Sequence, residues 1–132
     1  MTGSVDRGYV LINEANASKS VAGVYGGQGS VEVGTYFRRE GYAAPVLLAT
    51  YRLRPSGSEG LHTHGLDDAQ CGTLNEFYYI VSGSGEMTIG DRIVPVSKGD
   101  YVYIPSGVSR AIANASADED LRVHIVAIPA KS

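Results

Sequence analysis

Apolar positions along this chain fall into short runs and alternations, and no window sustains the 3.6-residue period of a helix. Segments near 9–12 (YVLI), 31–38 (VEVGTYFR), 46–53 (VLLATYRL), 61–64, 76–81 (EFYYIV), 86–89, 92–96, 101–104, 109–113 and 121–128 (LRVHIVAI) each read as a strand. Turn residues separate them: "GGQGS" at 26–30, "RPSGS" at 54–58, "SGSG" at 82–85, "SKGD" at 97–100 and "PSG" at 105–107. In "MTIGDRIV" the Gly90-Asp91 pair predicts a two-residue hairpin between Ile89 and Arg92. This punctuation predicts an all-β sandwich or barrel. The stretch 65–75, "GLDDAQCGTLN", is the longest irregular segment outside the N-terminus, and loops of that length in compact domains more often carry function. "NASADED" at 114–120 reads as a polar surface loop. The pattern is weaker before residue 44, which predicts extra strands, a lid or an arm exchanged with a second subunit. No linker or internal repeat divides the chain, so residues 1–132 are expected to form a single domain with its main body at 45–128.

Composition sharpens this picture modestly. Seventeen glycines, nine tyrosines and no tryptophan suit strands joined by tight turns. A net charge of −3 argues against nucleic acid or an anionic membrane as partner, since both select basic surfaces. "PVLLAT" is too short to cross a bilayer, and the first twenty residues lack the progression of a signal peptide. A single cysteine cannot form an internal disulfide, so a cytoplasmic location is the expectation.

The chemistry concentrates in "GLHTHGLDDAQCGTLNEFYYIVSGSG", 60–85. On a strand His62 and His64 share a face, with Cα atoms roughly 6.6 Å apart, and both imidazoles can offer a lone pair to one point. Glu76 opens the next strand. Facing the same interior, it would complete a two-histidine, one-carboxylate set, which suits Fe(II) and tolerates Zn, Mn or Ni. Tyr78, two residues on, should share the inward face of Glu76, as a proton donor, a substrate contact or a packed core tyrosine.

Two segments carry a family resemblance. "HTH" with "EFYYIVSG", and "GDYVYIPSGVSRAIAN" with Gly99, Pro105, Gly107, Arg110 and Asn114, resemble the paired signature motifs of the cupin superfamily over roughly residues 45–128. The resemblance implies a double-stranded β-helix, a small barrel of two packed sheets, with His62, His64 and Glu76 as interior metal ligands and tight turns at Gly83, Gly99 and Gly107. Two departures stand out. Eleven residues separate His64 from Glu76, more than the usual pattern, and Arg110 occupies the position of the fourth ligand, a histidine. Arginine has no lone pair to donate. Three readings follow: a metal on three ligands with Arg110 holding an anionic substrate group in bidentate fashion; His124 of "RVHIV" replacing the lost ligand; or no metal, with Arg110 paired to Glu76 in a binding pocket. The first is preferred.

Small cupins of this kind resemble polyketide cyclases of aromatic secondary metabolism, along with isomerases, lyases and decarboxylases. The resemblance therefore implies a metal-dependent enzyme acting on an aromatic, polyketide-like or carboxylate-bearing metabolite. Its catalytic groups would be Arg110, steadying an oxyanion or carboxylate, and His124 or Tyr78, moving a proton. An Fe(II) dioxygenase and a non-catalytic, metal-free binding protein are the alternatives, and a homodimer is the expected assembly. Tyr51, Tyr101 and Tyr103 are further candidates to line the pocket. Cys71 reads as an ordinary thiol, Asp67 and Asp68 as solvated loop charges, and "GGQGS" lacks the lysine or helix start of a phosphate cradle.

Overall fold

Alternation along the strands becomes two facing sheets. The computed structural model describes residues 9–37, 47–64 and 73–130. One sheet holds β1 (Lys19–Ala22), β2 (Ser30–Thr35), β3 (Leu47–Leu53), β10 (Leu121–Pro129), β5 (Leu74–Ser82) and β8 (Tyr101–Ile104), in that spatial order. The second holds β4 (Ser58–His62), β9 (Arg110–Asn114), β6 (Ser84–Ile89) and β7 (Arg92–Ser97). Every pairing is antiparallel. The all-β, double-sheet expectation holds.

The core lies between the sheets. Leu53, Ile80, Ile104, Val123 and Ile125 come from the six-stranded sheet, and Met87, Val96 and Ile112 face them from the other. In β10, the central strand between β3 and β5, Leu121, Val123, Ile125 and Ala127 are buried in strict alternation. A one-residue slip here would turn the whole apolar set outward, so the register is firmly specified. Turn chemistry behaves as read: Ile89 pairs with Arg92 across Gly90-Asp91, and Gly90 has φ 59. Gly83 (φ 87) is doubly constrained, since a Cβ there would stand 2.4 Å from the Asp120 carbonyl oxygen. Buried Asn114 ends β9 by donating to the Leu53 and Glu119 carbonyls (2.9 and 2.7 Å), which ties the 115–120 loop to the barrel end.

The N-terminal part departs from expectation. Residues 9–12 form no strand; a single helical turn, α1 (Glu14–Ala17), follows them, with the Asn13 side chain accepting from the Ala15 amide. β1 was not legible because all four of its residues are exposed and carry no alternation. It lies at the sheet edge beside β2, which pairs in turn with β3. The predicted strand at 61–64 begins earlier, at Ser58. Cys71, Asp67, Asp68 and most of the 65–75 loop lie outside the described residues.

The outer face of the larger sheet is aromatic. Phe77 packs on Tyr103 and Tyr79 on Tyr101, at centroid distances of 5.0 and 4.5 Å, and Tyr101 and Tyr103 are exposed. Among the described residues no helix is long and apolar enough to cross a membrane.

Candidate functional site

A bulge in β4 builds one side of the site. Glu59 pairs with Ile112 and His62 with Arg110, so three steps along β4 match two along β9. An extra residue in one strand reverses which side chains face in beyond it. Glu59 therefore points inward before the bulge and His62 points inward after it, while Leu61 faces solvent. Alternation then carries the next inward position to His64, which is buried.

Gly60 permits a second close approach. A short 3-10 turn at Val24–Gly26 lies against β4 so tightly that a Cβ on Gly60 would stand 1.9 Å from the Tyr25 carbonyl oxygen. That contact lays the Tyr25 ring flat on His62, with centroids 3.7 Å apart. Tyr25 sits at φ 48, ψ 37, a left-handed conformation uncommon for a bulky residue. Strain of this kind concentrates where the surrounding structure demands a particular side-chain position.

One potential ligand atom from each of His62, His64 and Glu76 lies within 4.8 Å of the other two. His62 Nδ1 is 2.8 Å from the Gly60 carbonyl oxygen. A carbonyl only accepts, so Nδ1 carries the proton and a neutral ring keeps its lone pair on Nε2. Burial lowers the His62 pKa, chiefly by desolvating the cation, which keeps the ring neutral near pH 7. His64 Nε2 lies 3.5 Å from Glu76 Oε2. The other oxygen of Glu76, Oε1, accepts from Arg110 NH1 and, at 2.9 Å, from the Tyr78 hydroxyl.

Arg110 is wholly buried and its donors are largely committed. Nε and NH2 donate to the Val108 carbonyl at 3.0 and 2.9 Å, NH2 also reaches the Pro105 carbonyl at 3.2 Å, and NH1 holds Glu76. A bidentate clamp on a substrate needs two free parallel N–H groups. The expectation that Arg110 offers one is corrected by this geometry: among the described residues, four of its five N–H donors are already engaged. The guanidinium instead neutralises and orients Glu76. That pairing is the one expected of a metal-free pocket, yet it consumes a single carboxylate oxygen and leaves Oε2 toward His64.

Tyr78 lies fully buried on the same inward face as Glu76, with its hydroxyl directed to that carboxylate. Burial, with Glu59 and Glu76 nearby, raises its pKa well above the ordinary value, so it holds its proton. The expectation that His124 enters the interior, as replacement ligand or proton carrier, does not hold. Val123 and Ile125 occupy the inward positions of β10, and alternation turns His124 to the exposed outer face, 6.3 Å from the Tyr79 ring. Tyr101 and Tyr103 are also on that outer face, whereas the Tyr51 hydroxyl enters the site and donates to Glu59 Oε2 at 2.7 Å.

Glu59 and Tyr25 are the residues that sequence reasoning missed. Glu59 is 2 % exposed, and its Oε1, 3.9 Å from His62 Nε2, accepts no hydrogen bond among the described residues. Burial drives its pKa up to about 8, opposed by the Tyr51 hydrogen bond and reinforced by Glu76. A glutamate three residues before the first histidine, on what should be the opposite face, gave no sign of joining it. Only the bulge brings them together.

The donor set fits a divalent metal ion. Two ligands each about 2.1 Å from one ion stand at most about 4.2 Å apart. The 3.5 Å between His64 Nε2 and Glu76 Oε2 meets that bound, and the remaining separations lie within 4.8 Å, so a small closing of the side chains brings the set onto one ion. A cation held beside Arg110 would be unfavourable without an anion between them, and Glu76, paired to Arg110 through Oε1, would supply that anion.

Similarities to known proteins place the chain in a family and a fold. Residues 49–128 match the family described as Cupin domain. An oxalate-binding protein of Thermotoga maritima is 30% identical over 108 residues, covering 81% of this chain and 84% of that protein. The crystal structure of a predicted oxalate decarboxylase from Thermotoga maritima superposes with a TM-score of 0.77 at 27% identity, over 90% of this chain and 98% of the other. The cupin domain of Schizosaccharomyces pombe Cnp3 superposes at 0.67 with 11% identity, over 92% and 75% of the two chains, a likeness of fold alone.

Proposed function

The chain belongs to the cupin domain family, and on that premise we propose that it takes a small carboxylate-bearing molecule onto a divalent metal ion held between the two sheets by His62, His64 and Glu76. The observation that carries this reading is the convergence of those three side chains, with Glu76 Oε2 turned toward His64 while Arg110 and Tyr78 take Oε1, and with His62 presenting the lone pair of Nε2. A bound Fe, Zn, Mn or Ni ion would supply a Lewis acid for a carboxylate oxygen. The chain's own residues set the stage for it. Arg110 and Tyr78 fix the Glu76 rotamer, the Gly60 carbonyl sets the His62 tautomer, and Tyr25 covers the outer side of the His62 ring. The carboxylate class is supported by the relative named as oxalate-binding.

Among cyclase, isomerase and lyase chemistries, the lyase reading has a specific support, the structural relative described as a predicted oxalate decarboxylase. The interior favours binding at least as much, because Arg110 and Tyr78 have few uncommitted donors. Calorimetry with oxalate on Zn-, Mn- and Fe-loaded protein and on chelated protein tests the proposal. Binding that requires the metal supports it; equal affinity without metal overturns it in favour of the metal-free pocket. Equimolar formate and CO2 from oxalate would establish the lyase, binding without product a binding protein, and oxygen consumption the dioxygenase.

A further inference from the structure

Three acidic or basic side chains crowd the interior beside His62 and His64: Glu59, Glu76 and Arg110. Arg110 and Glu76 cancel. Glu59 is a second buried carboxyl with no cationic side chain bonded to it, only the Tyr51 hydroxyl on Oε2. An orphaned oxygen at this depth is costly unless a partner arrives. Its position says what that partner is. Oε1 lies 3.9 Å from the lone-pair nitrogen of His62, within the roughly 4.2 Å that two ligands of one ion can span. It stands just outside the tighter cluster of His62, His64 and Glu76, so joining all three takes a small side-chain adjustment as the ion binds.

Resting on the metal reading above, we propose that Glu59 is a fourth ligand, completing a two-histidine, two-carboxylate set with His62, His64 and Glu76. The β4 bulge is the device that recruits it, since without the extra residue Glu59 and His62 would face opposite sides. Tyr51 is its positioning residue. By donating to Oε2 it leaves Oε1 directed at His62, as outer partners of ligating carboxylates do. The charge arithmetic also closes. Two carboxylates, one guanidinium and one divalent ion leave a net charge of +1, which a bound carboxylate neutralises.

The test is a cobalt titration of chelated wild type, Glu59→Gln, Glu59→Asp, Tyr51→Phe and His64→Ala, read by chelator competition and visible d–d absorption. Wild type should bind one Co(II) per chain, and His64→Ala should lose it. Glu59→Gln should weaken binding by at least about 100-fold and alter the d–d spectrum. Tyr51→Phe should stay within the roughly 10–100-fold typical of an outer partner and keep the spectrum. Glu59→Asp keeps the carboxylate and should retain binding, which guards against a folding defect in the glutamine variant. Wild type that binds no cobalt overturns the metal reading and this assignment together. Wild type that binds, with Glu59→Gln matching it in affinity and spectrum, overturns the assignment of Glu59 alone.

Discussion

Tyr25 lies face to face with His62, their planes 3° from parallel, although one belongs to the N-terminal turn and the other to β4. The contact depends on a missing side chain at Gly60, where a Cβ would meet the Tyr25 carbonyl at 1.9 Å. The N-terminal segment thus reaches the site through backbone proximity.

Gly60→Ala should displace the 24–27 turn, because a backbone carbonyl cannot yield as a flexible side chain would. We expect a loss of roughly 1–3 kcal/mol, the range for overpacking. The His62 pKa should also rise toward its ordinary value, since burial is the main cause of its depression. An NMR titration of the His62 ring together with a urea melt checks both. Tyr25→Ala should reproduce the pKa change without the clash.

Arg110→Met should be among the most damaging single changes in the barrel. It strands Glu76 without its cation, and breaking a buried pair from one side costs about 3–5 kcal/mol. The double variant Arg110→Met/Glu76→Gln should recover much of that loss in urea unfolding. Equal destabilisation by the single and double variants would show that the ion pair is not the origin of the effect.

Glu59 gives metal-free protein a distinctive pH dependence. Its carboxyl has a folded pKa near 8 against an ordinary value of 4.5, so between these pH values the unfolded chain has released a proton that the folded one retains. Stability contributed by the neutral carboxyl is complete below 4.5, falls as pH rises toward 8, and levels above it. The slope for one group is at most ~1.4 kcal/mol per pH unit. Denaturant melts across this window should show the decline in wild type and its loss in Glu59→Gln; parallel curves would refute the account.

Much of the barrel was readable from local pattern. The alternation in "LRVHIVAI" marks β10, the Gly90-Asp91 pair marks the β6–β7 hairpin, and the inward pairing of Glu76 with Tyr78 follows from two-residue spacing. The same rule applied to His124 required knowing which face of β10 is inner, and the buried residues are Val123 and Ile125. β1 offered no signal, because an exposed edge strand has no buried face to write into its sequence.

By itself the sequence determined the all-β class, the turns, and the closeness of His62 and His64, because strand period and turn preference are properties of neighbouring residues. Tertiary structure alone decided three things: that Arg110 is committed to Glu76, that Tyr25 covers His62, and that Glu59 turns inward with them. Each depends on how strands distant in sequence pair and where one of them bulges, and long-range pairing leaves no mark in a local pattern.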